Sequence, residues 1–299
     1  MPGRAIFRGA ALAAGVALAG ALAVAAGSDF PKVKPAPAHP PGAEPRGIAW
    51  QNDIDTAFTE AQAQNRPLLI EFWADWCGPC LLLEERTFSD PDVVEASRRF
   101  VAVRVDFDRN LDVAQEFGVW ALPAVLMTDS YGTVLQRLDG YVGPRRFLGL
   151  LGRVPKDVSA FNRWSHRLID QREDFEALIG MGLTYRRHAM LKSSSYFLQQ
   201  AIEIGNQRSP APPRLEEALF YLGENHLQEE EWDLAIVAFT ALIERFPGSE
   251  RAPIAHLELG KAFYSIGKKD SARKHLQPLL NRGSSDRVAQ QAREVLGKL

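Results

Sequence analysis

The stretch Trp73-Ala74-Asp75-Trp76-Cys77-Gly78-Pro79-Cys80 contains the only two cysteines among the 299 residues of this chain. It overlaps a nearly continuous apolar run, PLLIEFWA at residues 67–74, which is typical of a β-strand buried on both faces. Leucines at residues 81–83 then begin a helix. Two thiols at this spacing can close a short disulfide or open to a reactive dithiol. The stretch therefore predicts a redox-active pair between a buried strand and a helix.

A zinc site is the main alternative for two cysteines at this spacing. Zinc requires four protein ligands, or three and a water. The chain has no second C-x-x-C pair, and its six histidines include no ligand-like pair near the cysteines. A structural disulfide is disfavoured as well, because so short a loop removes little entropy from the unfolded chain. We therefore favour redox chemistry and expect no metal site.

The composition is that of an ordinary globular protein, with 46% hydrophobic and 24% charged residues. The length is sufficient for two domains. The net charge of -2 and the pI of about 6.3 come without a basic tract or an acidic tail. Because nucleic-acid binding depends on clustered basic side chains, we expect no nucleic-acid partner.

Residues 1–27 have the pattern of an export signal. Arg4 and Arg8 precede an apolar run at residues 9–27, in which Ala23-Val24-Ala25 offers a cleavage site between small residues. An uncleaved membrane anchor is the alternative, since a run of this length could span a bilayer. The run is only weakly hydrophobic, so we favour cleavage; both alternatives predict an exported, periplasmic protein. Residues 28–47 are rich in proline and predict an extended linker.

Residues 48–154 alternate between strand and helix patterns in the order β-α-β-α-β-α-β-β-α. This order places the cysteines at the C-terminal end of a central strand and at the start of a helix. Asn52 or Asp53, and Ser89 or Asp90, are candidate helix caps. The predicted strands are residues 48–51, 67–74, 100–107, 123–128 and 133–138, and the main predicted helices are residues 53–64, 91–99, 111–117 and 144–151.

The sequence WADWCGPC, Pro123 and this order of elements resemble the thioredoxin family over residues 48–152. The sequence ERTFSDP at residues 85–91, followed by Val93, is similar to the C-terminal domain of bacterial transmembrane thiol–disulfide interchange proteins. The resemblance implies an α/β thioredoxin fold, in which helices flank a mixed central sheet. It also implies a thiol–disulfide oxidoreductase that needs no cofactor beyond a redox-active disulfide between Cys77 and Cys80.

The cysteines have different predicted roles. Cys77 lies where the helix begins, so unpaired backbone N–H groups and the positive end of the helix dipole favour its thiolate, the nucleophile. Cys80, one turn into the helix, is predicted to be less exposed and to act as the resolving thiol. Pro79 fits the first helical turn, where its missing N–H costs nothing, and Gly78 keeps the surface clear for a substrate backbone.

The resemblance also implies roles for residues outside the cysteine pair. Glu71 matches a buried carboxylate that accepts or relays the proton of the resolving cysteine, although it is Glu rather than Asp. The alternative is a carboxylate that reaches solvent at a strand edge. Leu122 and Pro123 match a cis peptide bond that faces the cysteines and offers backbone groups to a substrate; a trans proline opening a strand is the alternative. Trp76 is predicted to shield the site and pack on substrate.

Two positions depart from the family pattern. Leu81 follows Cys80 where the family usually has Lys or Arg, which weakens the cationic character near the site. Arg104 either stands for a lysine that the family carries on the neighbouring strand or is a solvated strand residue. The redox potential is therefore left open.

Residues 155–299 are predicted to be helical, with a repeating pattern. Gly182, Gly223 and Gly260 recur at intervals of 41 and 37 residues. The residues sixteen positions after these glycines are Leu198, Phe239 and Leu276. The offsets resemble the tetratricopeptide repeat, of about 34 residues, in which small residues let two antiparallel helices approach closely. The proline-rich residues 209–213 are an insertion between repeats, and residues 286–299 predict a capping helix.

These features predict an exported thiol–disulfide oxidoreductase whose repeat domain docks a partner. The Gly-Pro dipeptide between the cysteines resembles reducing thioredoxins, so we favour a disulfide reductase. The expected partners are a protein disulfide, an upstream thiol reductant such as a membrane thiol–disulfide interchange protein, and a peptide or helix bound by the repeats. A non-enzymatic cell-envelope adaptor is the alternative function, and a self-association or spacer module is the alternative role of the repeats.

Overall fold

The computed structural model describes residues 47–282 and 285–299. The predicted signal or anchor at residues 1–27 and the predicted linker up to residue 46 lie outside the described residues. The first of two compact units ends at Asp170, and the second is Gln171–Leu299. The sequence boundary between residues 154 and 155 stays a prediction, since compact units and sequence domains need not coincide. None of the helices in the described ranges is both long and apolar enough to cross a membrane.

A four-stranded mixed sheet forms the centre of the first unit, in the order β2-β1-β3-β4. The strands are β1 (Leu68–Trp73), β2 (Val101–Asp106), β3 (Ala124–Thr128) and β4 (Val134–Asp139). β1 runs parallel to β2 and antiparallel to β3, and β3 runs antiparallel to β4. As an inner strand, β1 is buried along nearly its whole length, as its apolar run predicts. The predicted mixed central sheet is confirmed.

The strand register brings several chain segments to one end of the sheet. Trp73, the last residue of β1, pairs with Asp106, the last residue of β2. Ala124, the first residue of β3, pairs with Phe72 on one side and with Asp139, the last residue of β4, on the other. The segments that follow β1, β2 and β4 therefore begin at the end of the sheet where the segment that precedes β3 enters it. The cysteines follow β1 at this end.

Helices flank the sheet, as predicted. Those of the first unit are α1 (Ile54–Gln64), α2 (Gly78–Leu82), α3 (Pro91–Ser97), α4 (Leu111–Glu116), α5 (Pro144–Arg153) and α6 (Ser159–Asp170). Asp53 and Asp90, rather than their neighbours Asn52 and Ser89, cap α1 and α3 by accepting backbone N–H groups. α2 begins before the predicted residue 81, because Cys77 caps it, and it continues as a π-helical segment, Leu83–Phe88.

The predicted strand at residues 48–51 is wrong. Only Gln51 forms a β-bridge, with Val103 of β2. The N–H of Ile48 instead donates to the carbonyl of Phe88 in the π-helical segment, at 3.3 Å. The short segment thus divides its backbone hydrogen bonds between two partners, so no continuous ladder forms. The element order of the described chain accordingly begins with α1.

An apolar core holds β1 in place. Phe58 and Ala61 of α1 share one buried cluster with Ile70 and Phe72 of β1. Phe117, which follows α4, packs on Phe72 with ring centroids 5.9 Å apart. Close packing on the strand fixes the direction in which β1 ends, and with it the position of the cysteine pair.

Helix α6 packs on the β3–β4 turn through buried polar groups. Asp129, in this turn, has no exposed surface and accepts two backbone N–H groups of the turn, both at 2.9 Å. Its other carboxylate oxygen accepts the hydroxyl of Ser165 from α6. Asn162, also from α6, accepts the N–H of Ser130 at 3.0 Å. Because every one of these groups is buried and bonded, α6 is an integral part of the first unit.

The second unit consists of helices that pack against their neighbours along the chain. Those described are α7 (Phe175–Arg187), α8 (Leu191–Asn206), α9 (Leu215–Gln228), α10 (Trp232–Arg245), α11 (Ala252–Ser265), α12 (Lys269–Leu276) and α13 (Arg287–Leu296). A 3-10 segment, Gln277–Arg282, follows α12. The predicted insertion at residues 209–213 lies between α8 and α9, and α13 matches the predicted capping helix.

The repeating glycines sit where paired helices approach most closely. A Cβ atom at Gly182 would lie 2.8 Å from the side chain of Leu198, and one at Gly223 would lie 2.7 Å from the ring of Phe239. A Cβ atom at Gly260 would collide with Leu276. These contacts join the residues that the sixteen-residue offset relates. The prediction that small residues permit the close approach of two helices is therefore confirmed.

A buried asparagine links successive helices of the second unit. Asn225 of α9 has no exposed surface, and its amide donates to the hydroxyls of Ser194 at 2.8 Å and Ser195 at 3.2 Å in α8. Its carbonyl oxygen accepts the guanidinium of Arg186 from α7. The amide thus satisfies polar groups from two other helices within the packed interior.

Candidate active site

The cysteine pair forms a disulfide at the junction of β1 and α2. The Sγ atoms of Cys77 and Cys80 are 2.03 Å apart. Cys77 is the N-cap residue of α2, and its Sγ accepts the backbone N–H of Cys80 at 3.2 Å. The helix N-terminus therefore points an N–H donor at the sulfur of Cys77. In the reduced protein the same donor and the helix dipole would stabilise the thiolate of Cys77.

Both cysteines are buried in the disulfide form. Cys77 is 3% exposed and Cys80 is 4% exposed. Their burial is nearly equal in this form and does not separate the two cysteines, so the expectation that Cys80 is the less exposed of the two stays a prediction. The physical reason for the near-equal burial is that both sulfurs share one apolar cluster with Ala74, against which Trp73 and Leu122 pack. Access to Cys77 must come through the surface around this cluster.

The loop that precedes β3 lies against the disulfide. Leu122 packs on the cysteine cluster, and the Leu122–Pro123 peptide bond is cis, as the resemblance implies. The carbonyl of Pro123 accepts the N–H of Gly140 at 2.8 Å, which ties the loop to the end of β4. The structure thus brings Leu122 to the cysteines, as expected. The predicted role of both residues in holding a substrate stays a prediction.

The predicted substrate-contacting residues near α2 are accessible. Trp76 is 66% exposed, and its indole N–H donates to Asp108 at 2.8 Å. Pro79 is exposed, and no atom lies within 4 Å of the position that a Cβ would occupy at Gly78. The surface beside the disulfide is therefore open, with one indole ring held in a fixed orientation by its hydrogen bond.

Glu71 is buried below the site. It is 1% exposed, in the inner strand β1, so the alternative of a solvent-reaching carboxylate at a strand edge is wrong. It pairs in register with Arg104 of β2, whose Nε donates to Glu71 Oε2 at 2.7 Å. Its Oε1 atom is buried without a hydrogen-bond partner among the described residues. One carboxylate oxygen is therefore neutralised, and the other is left available for a proton.

Arg104 joins two carboxylates and two indole rings. Besides Glu71, it forms an ion pair with Glu84 of the π-helical segment. Its guanidinium lies 5.1 Å from the ring of Trp50 and 5.8 Å from that of Trp73. Arg104 is thus no solvated strand residue. Glu84 was not predicted from the sequence, because only the fold brings it to Arg104.

Burial controls the protonation of Glu71. Desolvation raises the pKa of this carboxyl, while the charge of Arg104 and its hydrogen bond act in the lowering direction and are the smaller influences. The net pKa therefore lies above that of an exposed glutamate. Glu71 can hold a proton at a pH where an exposed glutamate has lost it, which is the property that a proton relay needs.

The described residues contain no group of three or more His, Cys, Asp or Glu side chains placed to hold a metal ion. The sulfur atoms of Cys77 and Cys80 are bonded to each other. Zinc would require both as thiolates together with further ligands. The site as it stands is suited to disulfide exchange.

Comparisons with known proteins match the two parts of the chain to different family models. A family model described as a thioredoxin-like domain matches residues 54–155, and a tetratricopeptide repeat model matches residues 217–249. The thioredoxin of Griffithsia pacifica is 31% identical over 108 residues, which are 36% of this chain and 94% of that protein.

Thiol:disulfide interchange proteins are also among the relatives. The thiol:disulfide interchange protein DsbD of Vibrio vulnificus (strain CMCP6) is 31% identical over 108 residues, which are 34% of this chain but only 18% of that protein. A solved structure, the C-terminal domain of Neisseria meningitidis DsbD in the oxidised form, has 25% identity and a TM-score of 0.30, covering 34% of this chain and 95% of that chain.

Three observations point to the same family. The two cysteines form a C-x-x-C disulfide, this disulfide lies at the start of α2, and the similarity extends over nearly the full length of a thioredoxin. Proteins of this kind use a redox-active disulfide rather than an external cofactor. The chain belongs to the thioredoxin family, as a thiol–disulfide oxidoreductase whose thioredoxin-like domain is followed by a tetratricopeptide repeat.

Proposed function

We propose that this protein reduces disulfides in other proteins, with Cys77 as the nucleophile and Cys80 as the resolving thiol. The observation that carries the proposal is the N–H of Cys80, which points at Cys77 Sγ from the N-terminus of α2 at 3.2 Å. This donor favours a thiolate at Cys77 over one at Cys80. The attacking sulfur is thereby distinguished from the resolving one.

The reaction consists of two exchanges. The thiolate of Cys77 attacks one sulfur of the substrate disulfide, a mixed disulfide forms, and the other substrate sulfur leaves as a thiolate. Cys80, once deprotonated, attacks the Sγ of Cys77, and the second substrate sulfur leaves as a thiolate. The protein loses two electrons and ends as the Cys77–Cys80 disulfide, while the substrate gains them and takes up two protons as a dithiol.

Glu71 is the proposed acceptor or relay of the proton that Cys80 must lose. Two features support this role: the pKa of Glu71 is raised by burial, and its Oε1 atom has no hydrogen-bond partner among the described residues. Trp76, Gly78, Pro79, Leu122 and Pro123 are the proposed substrate contacts. Leu122 packs on the cysteine cluster, and Trp76 and Pro79 are exposed beside it.

The direction of electron flow depends on a donor. We propose a dithiol reductant upstream, of the class of membrane thiol–disulfide interchange proteins, because a dithiol in an oxidising compartment becomes oxidised without one. Sequence similarity to DsbD supports this class. The apolar run at residues 9–27 supports export to the periplasm, and residues 28–47 would act as a linker, the redox domain being residues 48–154.

The repeats at residues 155–299 are proposed to dock a peptide or a helix of a partner. The match to the tetratricopeptide repeat at residues 217–249 supports a protein-binding role. Stacked repeats form extended concave surfaces that suit such ligands. Docking would bring the partner close to the redox domain and raise its effective concentration there.

Insulin reduction by the full-length chain tests the chemistry. The wild-type protein is expected to reduce insulin with dithiothreitol as electron donor, and Cys77→Ser is expected to lose this activity. A Cys80→Ser variant is expected to accumulate mixed disulfides with its substrates in cells. Full activity in Cys77→Ser would end the proposal that Cys77 is the nucleophile. A Cys80→Ser variant that captures no mixed-disulfide partner would favour the non-enzymatic adaptor instead.

A further inference from the structure

The exposed apolar side chains of the first unit belong to segments that meet at the end of the sheet where the disulfide lies. Among its described residues, the large hydrophobic side chains that are exposed are Trp76, Leu82, Leu111, Trp120 and Tyr141. They belong to the segments that follow β1, β2 and β4 and to the segment that precedes β3. The strand register brings these segments to one end of the sheet, where the disulfide also lies. Exposed apolar side chains gathered at one end of a sheet indicate a binding surface.

Trp120 is the most exposed of these side chains, at 75%. It stands two residues before Leu122, which packs on the cysteine cluster. Two residues of chain span at most about 7 Å, which is also the distance between alternate residues of an extended substrate chain. A residue one or two positions from a reacting cysteine of a substrate would therefore meet the indole of Trp120.

The backbone around Trp120 is held firmly. Arg137 of β4 donates to the carbonyls of Phe117 at 3.0 Å and Gly118 at 3.1 Å. Val119 is buried, and its N–H donates to the carbonyl of Ala114 at 2.8 Å. On the other side, Pro123 is buried and bonded to the end of β4. Trp120 and Ala121 thus project from a loop fixed at both ends, so little entropy is lost when a ligand binds there.

We propose that Trp120 is a specificity-determining residue, which binds large apolar side chains next to the disulfide of an extended polypeptide substrate. The inference rests on the proposed function, because it names the substrate class of that same site. Leu122, two residues after Trp120, packs on the cysteine cluster, and Cys77 is itself only 3% exposed. A substrate that reaches Cys77 must therefore lie on the surrounding side chains.

The chemistry of this surface selects apolar polypeptides over small polar disulfides. Aromatic rings offer large, rigid contact areas and are frequent anchors at protein interfaces. The indole N–H of Trp76 is already bonded to Asp108, so this residue offers a substrate its ring and no free donor. A small disulfide that reacts at Cys77 leaves Trp120 uncovered, whereas an extended chain with Leu or Phe beside its cysteine covers it.

The test compares the full-length reduced protein on two peptides of equal length, each with one intramolecular disulfide. One peptide carries Leu and Phe beside its cysteines, and the other carries Ser and Gln. Single-turnover rate constants are normalised to that for hydroxyethyl disulfide, which reports reaction at Cys77 alone. Wild-type protein is expected to prefer the apolar peptide by about tenfold or more, the size expected for an anchoring aromatic residue.

The variants then assign the preference to one side chain. Trp120→Ala is expected to bring the two peptide rates to near parity, and Trp120→Phe to retain most of the preference. Leu234→Ala is the matched control, because Leu234 is a half-exposed apolar residue of α10 in the second unit. Equal peptide rates in the wild type, or an undiminished preference in Trp120→Ala, would overturn the inference about Trp120 but not the proposed function. If the reduced wild type reacts with none of the three disulfides, the proposed function is overturned.

Discussion

Replacement of Asp129 with asparagine is expected to stabilise the first unit at neutral pH. The carboxyl has no exposed surface, and burial raises its pKa from 3.8 to about 6, against smaller lowering contributions from its hydrogen bonds. One pKa unit corresponds to about 1.4 kcal/mol, so the ionised carboxylate costs the folded state about 3 kcal/mol. Asparagine carries no charge and has nearly the same shape.

The pH dependence follows from the sign of the pKa shift. The folded chain binds the proton of Asp129 more tightly than the unfolded chain, so the contribution to stability is most favourable below about pH 4. This contribution is lost as the pH rises to about 6 and is constant above that value. The variant should therefore match the wild type near pH 4 and exceed it at pH 8 by up to about 3 kcal/mol.

The hydrogen bonds of the turn permit the substitution. Oδ1 of Asp129 accepts both backbone N–H groups, and an amide oxygen can do the same. The amide nitrogen would replace Oδ2 and donate to Ser165, whose hydroxyl lies 2.6 Å from that of Thr133 and can donate to it. The network would then remain fully bonded.

Local stability is best measured by hydrogen exchange of peptides from β3, β4 and α6 at pH 5 and 8, after correction for intrinsic exchange rates. The control is Asp170→Asn, since Asp170 is exposed at the end of α6. A free-energy difference between Asp129→Asn and wild type that is equal at both pH values would refute the reasoning, as would a loss of stability at pH 8.

The other predictions concern proton transfer and helix packing. Glu71→Gln is expected to slow insulin reduction at pH 7 by about tenfold or more, with recovery at higher pH where the resolving thiol ionises unaided; equal turnover at pH 7 would contradict this. Gly223→Ala places a Cβ 2.7 Å from the ring of Phe239 and is expected to cost the second unit about 1–3 kcal/mol in urea unfolding. Gly248→Ala, with nothing within 4 Å of the added Cβ, is its control and is expected to unfold like the wild type. Asn225→Ala leaves buried partners unsatisfied and is expected to cost about 1–3 kcal/mol by the same measurement, so an unchanged midpoint would argue against the buried network.

Local sequence signals predicted the framework of both units well. The apolar run of β1, the caps Asp53 and Asp90, and the glycine offsets each depend on interactions that a short window of sequence contains. A helix cap acts within three residues, and the residue offsets within a repeat indicate which two helices pack together. The cysteine pair was similarly local, so its place at the N-terminus of α2 followed from the sequence.

Several features that depend on long-range contacts were not predicted. Residues 48–51 fit a strand pattern, but the positions of Phe88 and β2 decide where their hydrogen bonds go. Glu84 is an ordinary helix residue in the sequence, and only the fold brings it to Arg104. The near-equal burial of Cys77 and Cys80 reflects a shared cluster against which Leu122 packs, and Leu122 is distant in the sequence.

The buried hydroxyl of Ser165 has a consequence for how this chain can be divided. The thioredoxin-like match ends at residue 155, yet α6 supplies Ser165 and Asn162 to polar groups of the β3–β4 turn. A cut at the end of the match would remove these hydrogen bonds and expose to water the surface on which α6 packs. The evolutionary module and the cooperative folding unit thus have different limits, and a transplant of other repeats onto this redox module should begin after Asp170.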